Sequence, residues 1–125
     1  MTSILRVLMA EDEHLAAEVL AEGLVDAGFT VLTAEDGQAA LDMAAAGAGF
    51  DVLLTDLRMP RLDGRELIAR LRAQRPSLPV VVMTGFPPPN GAEALYAGPG
   101  PLRLLTKPIG LGLLVSAIRD VAGLA

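Results

Sequence analysis

Cysteine and tryptophan are absent from this chain, and histidine and tyrosine each occur once. Without cysteine there is neither a disulfide framework nor a thiolate metal site, a usage that suits a reducing compartment. The lone His14 falls where a helix should begin and reads as an exposed neutral residue rather than a catalytic base. No GxGxxG or Walker pattern occurs, so Gly37 and Gly64 read as turn residues and not as a phosphate loop. The longest apolar stretch, Ile109 to Ile118, is well short of the roughly 18 residues of a membrane span, and Met1 to Ser3 offer no basic leader. A soluble cytoplasmic protein with no membrane contact is therefore expected. A net charge of −5 also argues against a direct nucleic-acid surface, which needs a concentrated basic field.

What the chain does have is 125 residues, one domain's worth (1–125), of which 52% are hydrophobic and only 3% aromatic. Such a core must be built from Val, Leu, Ile, Ala and Met, as in a buried parallel sheet flanked by helices. Charge is uneven. Arg58, Arg61, Arg65, Arg70, Arg72 and Arg75 stand against only Asp63 and Glu66, a local +4 that leaves −9 for the remainder of the −5 total. That segment reads as a solvated helix face with flanking loops, with a docking surface for an acidic partner as the alternative.

Short apolar runs alternate with helical periodicity along the chain. Ile4 to Met9, Phe29 to Ala34, Phe50 to Thr55, Pro79 to Met83 and Leu102 to Thr106 read as buried strands. Leu15, Val19, Leu20 and Leu24, with Ala16 and Ala27, give the first helix its apolar positions, and Gly28 suits a left-handed C-terminal cap. Asp36 can cap the second helix, which turns Ala40, Leu41 and Ala44 inward and ends at Gly47 and Gly49. Asp63 can cap the third, whose stripe is Leu67, Ile68 and Leu71. After the fourth strand, Phe86 to Gly91 and Gly98 to Pro101 break the chain. Any helix there is confined to about Ala92 to Ala97. Leu111, Leu114, Val115 and Ile118 mark a final amphipathic helix. The alternation predicts an α/β domain, a doubly wound, flavodoxin-like, five-stranded parallel sheet of order 2-1-3-4-5 with an irregular crossover before its last strand.

In that order the polar residues that end the runs meet at one sheet edge. Strands lie about 4.8 Å apart, so Asp12 and Asp56 can share one cation, with Glu11 acting directly or through water. Carboxylates without His or Cys select a hard ion, and magnesium suits them because it takes one or two carboxylates plus phosphate oxygens. Thr84 should stand one strand beyond Asp56. Lys107 should stand two strands beyond, roughly 10 Å away, within a lysine's reach. Hydroxyl, ammonium and metal would cradle three phosphoryl oxygens while Asp56 attacks phosphorus. Singly each residue has an ordinary role as a cap, turn or surface residue. At successive strand ends with compatible charges they form a set.

At these residues the chain resembles the receiver domain of bacterial two-component response regulators over nearly its whole length. The resemblance rests on Glu11-Asp12, on Asp56 followed by Met59-Pro60 and Asp63-Gly64, on Thr84-Gly85 and on Lys107-Pro108. It implies that Asp56 accepts a phosphoryl group from a histidine of a sensor kinase or phosphotransfer protein, with Thr84 and Lys107 completing the switch. It implies magnesium held by Asp12, Asp56 and the backbone carbonyl of Arg58, with Glu11 in support, and a cis peptide before Pro108. The chain is then a signalling module that catalyses only its own phosphorylation and dephosphorylation, as a monomer or weak dimer, either free-standing or part of a larger regulator or hybrid kinase. Two places depart from the family: Leu104 stands where it carries Tyr or Phe, with Tyr96 as a substitute, and the Pro/Gly passage from Phe86 to Pro101 shortens its usual output helix. Two rivals remain: a phosphorylation-independent binding module and a magnesium-dependent phosphohydrolase. The latter would want a second Asp where Arg58 stands.

Overall fold

The protein is described by a computed structural model over residues 4–91, 95 and 98–123. The elements run β1 (Arg6–Ala10), α1 (His14–Asp26), β2 (Thr30–Ala34), α2 (Gly37–Ala45), β3 (Val52–Thr55), α3 (Gly64–Gln74), β4 (Val80–Thr84), β5 (Leu102–Thr106) and α4 (Leu111–Val121). The five strands form one parallel sheet in the order β2-β1-β3-β4-β5, as the sequence predicts. Helix expected between Ala92 and Ala97, and Tyr96 with it, falls mostly outside the described residues.

Both faces of the sheet are buried, and the two-residue period of a strand divides its side chains between them. Leu8, Leu53, Val80 and Val82 pack with Ala40, Leu67, Ile68 and Leu71 of α2 and α3. Val7, Met9, Val52, Leu54, Val81 and Met83 point the other way, onto Leu24, Leu114 and Ile118 of α1 and α4. The caps are as expected: Asp36 accepts from Ala39 N and Asp63 from Glu66 N, and Gly28 has a φ of 104°.

Three expectations need correction. Ile4 lies outside β1 and is exposed. On α1, Leu15 and Val19 are 79% and 69% exposed; the face against the sheet is Leu20 and Leu24 with Ala17 and Ala21. The helix has more apolar residues than one face can cover, and three- and four-residue spacings fit both sets. The arginine-rich segment is not wholly a solvated face either. Arg72 is buried, its Nε and Nη2 donating to the Leu78 carbonyl at 3.2 and 2.9 Å and Nη2 also to that of Pro101 at 2.8 Å. It lies one turn after Ile68, on the face turned to the core, and it ties the entries to β4 and β5 together.

Candidate functional site

Glu11, Asp56 and Lys107 each directly follow a strand and are fixed there by one more ladder bond. Glu11 N donates to Ala34 O at 3.1 Å, Asp56 N to Ala10 O at 3.1 Å and Lys107 N to Thr84 O at 2.8 Å. The carboxyl edge of the sheet thus carries Glu11 and Asp12 after β1, Asp56 after β3, Thr84 as the last residue of β4 and Lys107 just past β5.

The loop from Asp56 to Asp63 brings its own backbone close to the carboxylate. Asp56 Oδ1 accepts from Leu57 N at 2.6 Å and Arg58 N at 3.2 Å, and the Asp56 carbonyl accepts from the Thr55 hydroxyl at 2.7 Å. Gly64 N returns to Leu57 O at 2.9 Å. A Cβ at Gly64 would fall on the Asp56 carbonyl oxygen, so the approach of α3 to the end of β3 requires glycine. In the same loop Arg61 has a φ of 68°, within a γ-turn closed by Leu62 N on Pro60 O at 2.8 Å. Its guanidinium forks onto both oxygens of Asp36, at 2.7 and 2.9 Å.

Lys107 reaches back across two strands. Its Nζ donates to Asp56 Oδ2 at 2.7 Å and to Glu11 Oε1 at 2.8 Å. Glu11 is 2% exposed and Asp56 7% exposed. Burial works against the Lys107 ammonium, but its hydrogen bonds to Asp56 and Glu11 and their charges outweigh it and raise its pKa. Burial raises the Glu11 pKa, with the Asp56 charge adding to the rise and Lys107 opposing both. Glu11 is therefore more than a supporting acid, since it holds the lysine over Asp56 from the far side. A glutamate directly after a strand that packs on both faces is the signal for such burial.

One oxygen each from Glu11, Asp12 and Asp56 lies within 4.8 Å of the others. The donor set is all carboxylate, which fits a small hard cation. Beside it is a hollow of about 190 Å³ lined by Asp12, Asp56, Arg58, Thr84, Phe86 and Lys107 among others. A wider hollow of about 820 Å³ opens between α1 and α2, but its walls carry four glutamates and no lysine or arginine, the wrong field for a phosphoryl dianion. The smaller hollow is the chemically suited one. Thr84 is buried there and its Oγ1 accepts from Phe86 N at 3.1 Å. The Lys107–Pro108 peptide is cis, as the resemblance implies. His14 is exposed and stands at the start of α1, apart from this hollow's lining.

Comparison with known proteins agrees with this fold. The family model described as "Response regulator receiver domain" matches residues 7–119. A response regulator receiver protein of Anaeromyxobacter is 41% identical over 104 residues, 83% of this chain and 43% of that protein. The transcriptional regulatory protein TcrA of Mycobacterium tuberculosis is 36% identical over 117 residues, 94% of this chain and 46% of that protein. The chain thus spans about half the length of the curated relatives it matches. A receiver domain crystal structure from Clostridium thermocellum superposes with a TM-score of 0.86 at 25% identity, covering 96% of this chain and 95% of that one.

Proposed function

The chain belongs to the response regulator receiver family of two-component systems, and on that premise we propose that residues 1–125 form one receiver domain whose Asp56 is the phosphoryl acceptor. The observation that carries this is the Lys107 ammonium between Asp56 and Glu11 at 2.7 and 2.8 Å. It offsets two buried carboxylates and stands where a phosphoryl oxygen would arrive.

In this reading an Asp56 oxygen attacks phosphorus as the bond from phosphorus to the donor histidine nitrogen breaks, and that nitrogen leaves with the bonding pair. Lys107 Nζ passes from Asp56 Oδ2 to a phosphoryl oxygen. The Thr84 hydroxyl donates to another while Oγ1 keeps the Phe86 amide. Magnesium, held by Asp12, Asp56 and the Arg58 carbonyl with Glu11 in support, would supply charge neutralisation to the remaining oxygens. The added charge draws Thr84 and its loop inward, and the balance between two loop arrangements shifts. Arg58 stands two residues after Asp56, where a hydrolase would want its acid, Glu11 is engaged by Lys107, and Asp12 would be taken up by the metal. The domain therefore holds its phosphoryl group as a signal in place of turning over substrate.

The donor is a histidine kinase or phosphotransfer protein of the cytoplasm. Leu15 and Val19 stand exposed on α1, and a groove lined by Ala16, Leu20, Pro108 and Ile109 beside Lys107 opens next to them. An apolar ridge bordering the acceptor suits a donor helix.

Incubation with magnesium and acetyl phosphate tests the reading. Stoichiometric, base-labile label supports a receiver. Continuous phosphate release would mean a hydrolase, and no label would leave a binding module.

A further inference from the structure

From a second cleft, beside the acceptor hollow, we infer a docking site for an acidic, apolar-tipped segment of a protein partner. The cleft, about 680 Å³, lies between the loop after β3 and the loop after β4. Leu57, Phe86 and Pro87 to Pro89 give it apolar walls, and Arg58 and Arg65 give it cations.

Several basic side chains are already engaged by carboxylates. Arg6, Arg61, Arg70, Arg103 and Lys107 each pair with a carboxylate. Arg58 and Arg65 pair with none among the described residues, though both are exposed. Arg58 is instead laid over the Phe86 ring, 4.4 Å from its centroid, which stiffens an aromatic that is 66% exposed. The carboxylate within the cleft, Asp63, has Oδ1 engaged by Glu66 N as the cap of α3. Two guanidinium groups without a carboxylate partner among the described residues, one of them stacked on an exposed ring, and a proline-walled floor match carboxylates flanking an apolar side chain.

The protein's net charge of −5 sharpens this choice. A polyanion is repelled by most of the surface, so an acidic segment gains attraction at this basic locus and loses it elsewhere, which fixes register as well as affinity. Nucleic acid would need a longer basic track than two side chains provide. The cleft is also tied to the acceptor site, since Arg58 N donates to Asp56 Oδ1 and Phe86 N to Thr84 Oγ1. Docking itself requires no phosphoryl group, so it stands or falls separately from the proposed acceptor chemistry.

The test uses the full chain without a phosphodonor. A fluorescent Glu-Glu-Leu-Leu-Glu-Glu peptide is titrated by anisotropy beside Lys-Lys-Leu-Leu-Lys-Lys, Glu-Glu-Ser-Ser-Glu-Glu and an oligothymidylate, and amide NMR shifts locate what binds. The acidic leucine peptide should bind about tenfold more tightly than each control, the scale of one favourable contact group. Its shifts should gather on Leu57, Arg58, Gly85 and Phe86. Arg65→Glu should weaken it about tenfold and leave acetyl phosphate labelling unchanged, because a glutamate in the first turn of α3 is compatible with the helix dipole. Phe86→Ala should weaken it through the apolar wall. Absent binding, equal binding of the oligothymidylate, shifts on another face, or indifference to Arg65→Glu would each overturn the docking site.

Discussion

Lys107 holds the site together at the level of single side chains. In the resting state it competes with a cation for the same carboxylates, so Lys107→Ala should bind magnesium no more weakly than the wild type, and up to about tenfold more tightly, by isothermal titration. The same variant should lose most of the amide shift changes that phosphorylation produces after β4 and β5. Unchanged shifts would remove the lysine from the switch. Asp36 is a second residue with a measurable signature. The Arg61 guanidinium beside it holds its carboxyl below the usual range, against the effect of burial and with help from the Ala39 amide. A carboxyl so lowered contributes stability that is fully present above its unfolded value near about 4 and is lost as pH falls through the lower folded one. Asp36→Ala should therefore cost about 1 to 2 kcal/mol at pH 7 by urea unfolding, as loss of a cap does, and the gap to wild type should narrow as pH falls below about 4.

Among the elements, the approach of α3 to β3 and the exposed ridge of α1 matter most. Because a Cβ at Gly64 would strike the Asp56 carbonyl, Gly64→Ala must push α3 off the strand end. A loss of about 1 to 3 kcal/mol in thermal or urea unfolding is expected, together with slower labelling of Asp56. Wild-type stability would show that the loop yields freely. On α1, Leu15→Asp changes a side chain that is 79% exposed, so folding and acetyl phosphate labelling should hold while transfer from a cognate kinase slows about tenfold or more. The strands were legible from sequence because each is a short run dominated by apolar residues, buried throughout in β3 and β4, and each run stops at a polar residue. Only edges shifted, as where Ile4 precedes β1. The helices were legible in place but less so in orientation. Period alone could not choose between Leu15 with Val19 and Leu20 with Leu24, because a surplus apolar residue on a helix gives the same signal as a buried one. Arg72 escaped for the opposite reason: its position follows the buried stripe, but its charge suggests solvent, and the carbonyls of Leu78 and Pro101 that its guanidinium meets are not visible in the sequence.

At the scale of the whole molecule, one sheet turns chain order into proximity. Glu11 and Lys107 are 96 positions apart in sequence and 2.8 Å apart in space. Most of the site was readable for that reason, since a parallel sheet places all its strand ends on one edge. The bridge from Lys107 to Glu11 was not readable, nor was the fork of Arg61 on Asp36, because both depend on which way a long side chain turns once its strand is fixed. The arrangement also bears on which of three neighbouring carboxylates reacts. Glu11 is nearly inaccessible and half-exposed Asp12 stands outside the lysine's grip, whereas Asp56 lies at the end of a central strand beneath Lys107 and beside Thr84. The most direct measurement is to phosphorylate the protein with acetyl phosphate and magnesium, trap the acyl phosphate by borohydride reduction and map the reduced residue by peptide mass. Reduction confined to Asp56, and absent from a folded Asp56→Asn variant, is the result expected; label on Asp12 or Glu11, or label that persists in Asp56→Asn, would contradict the account.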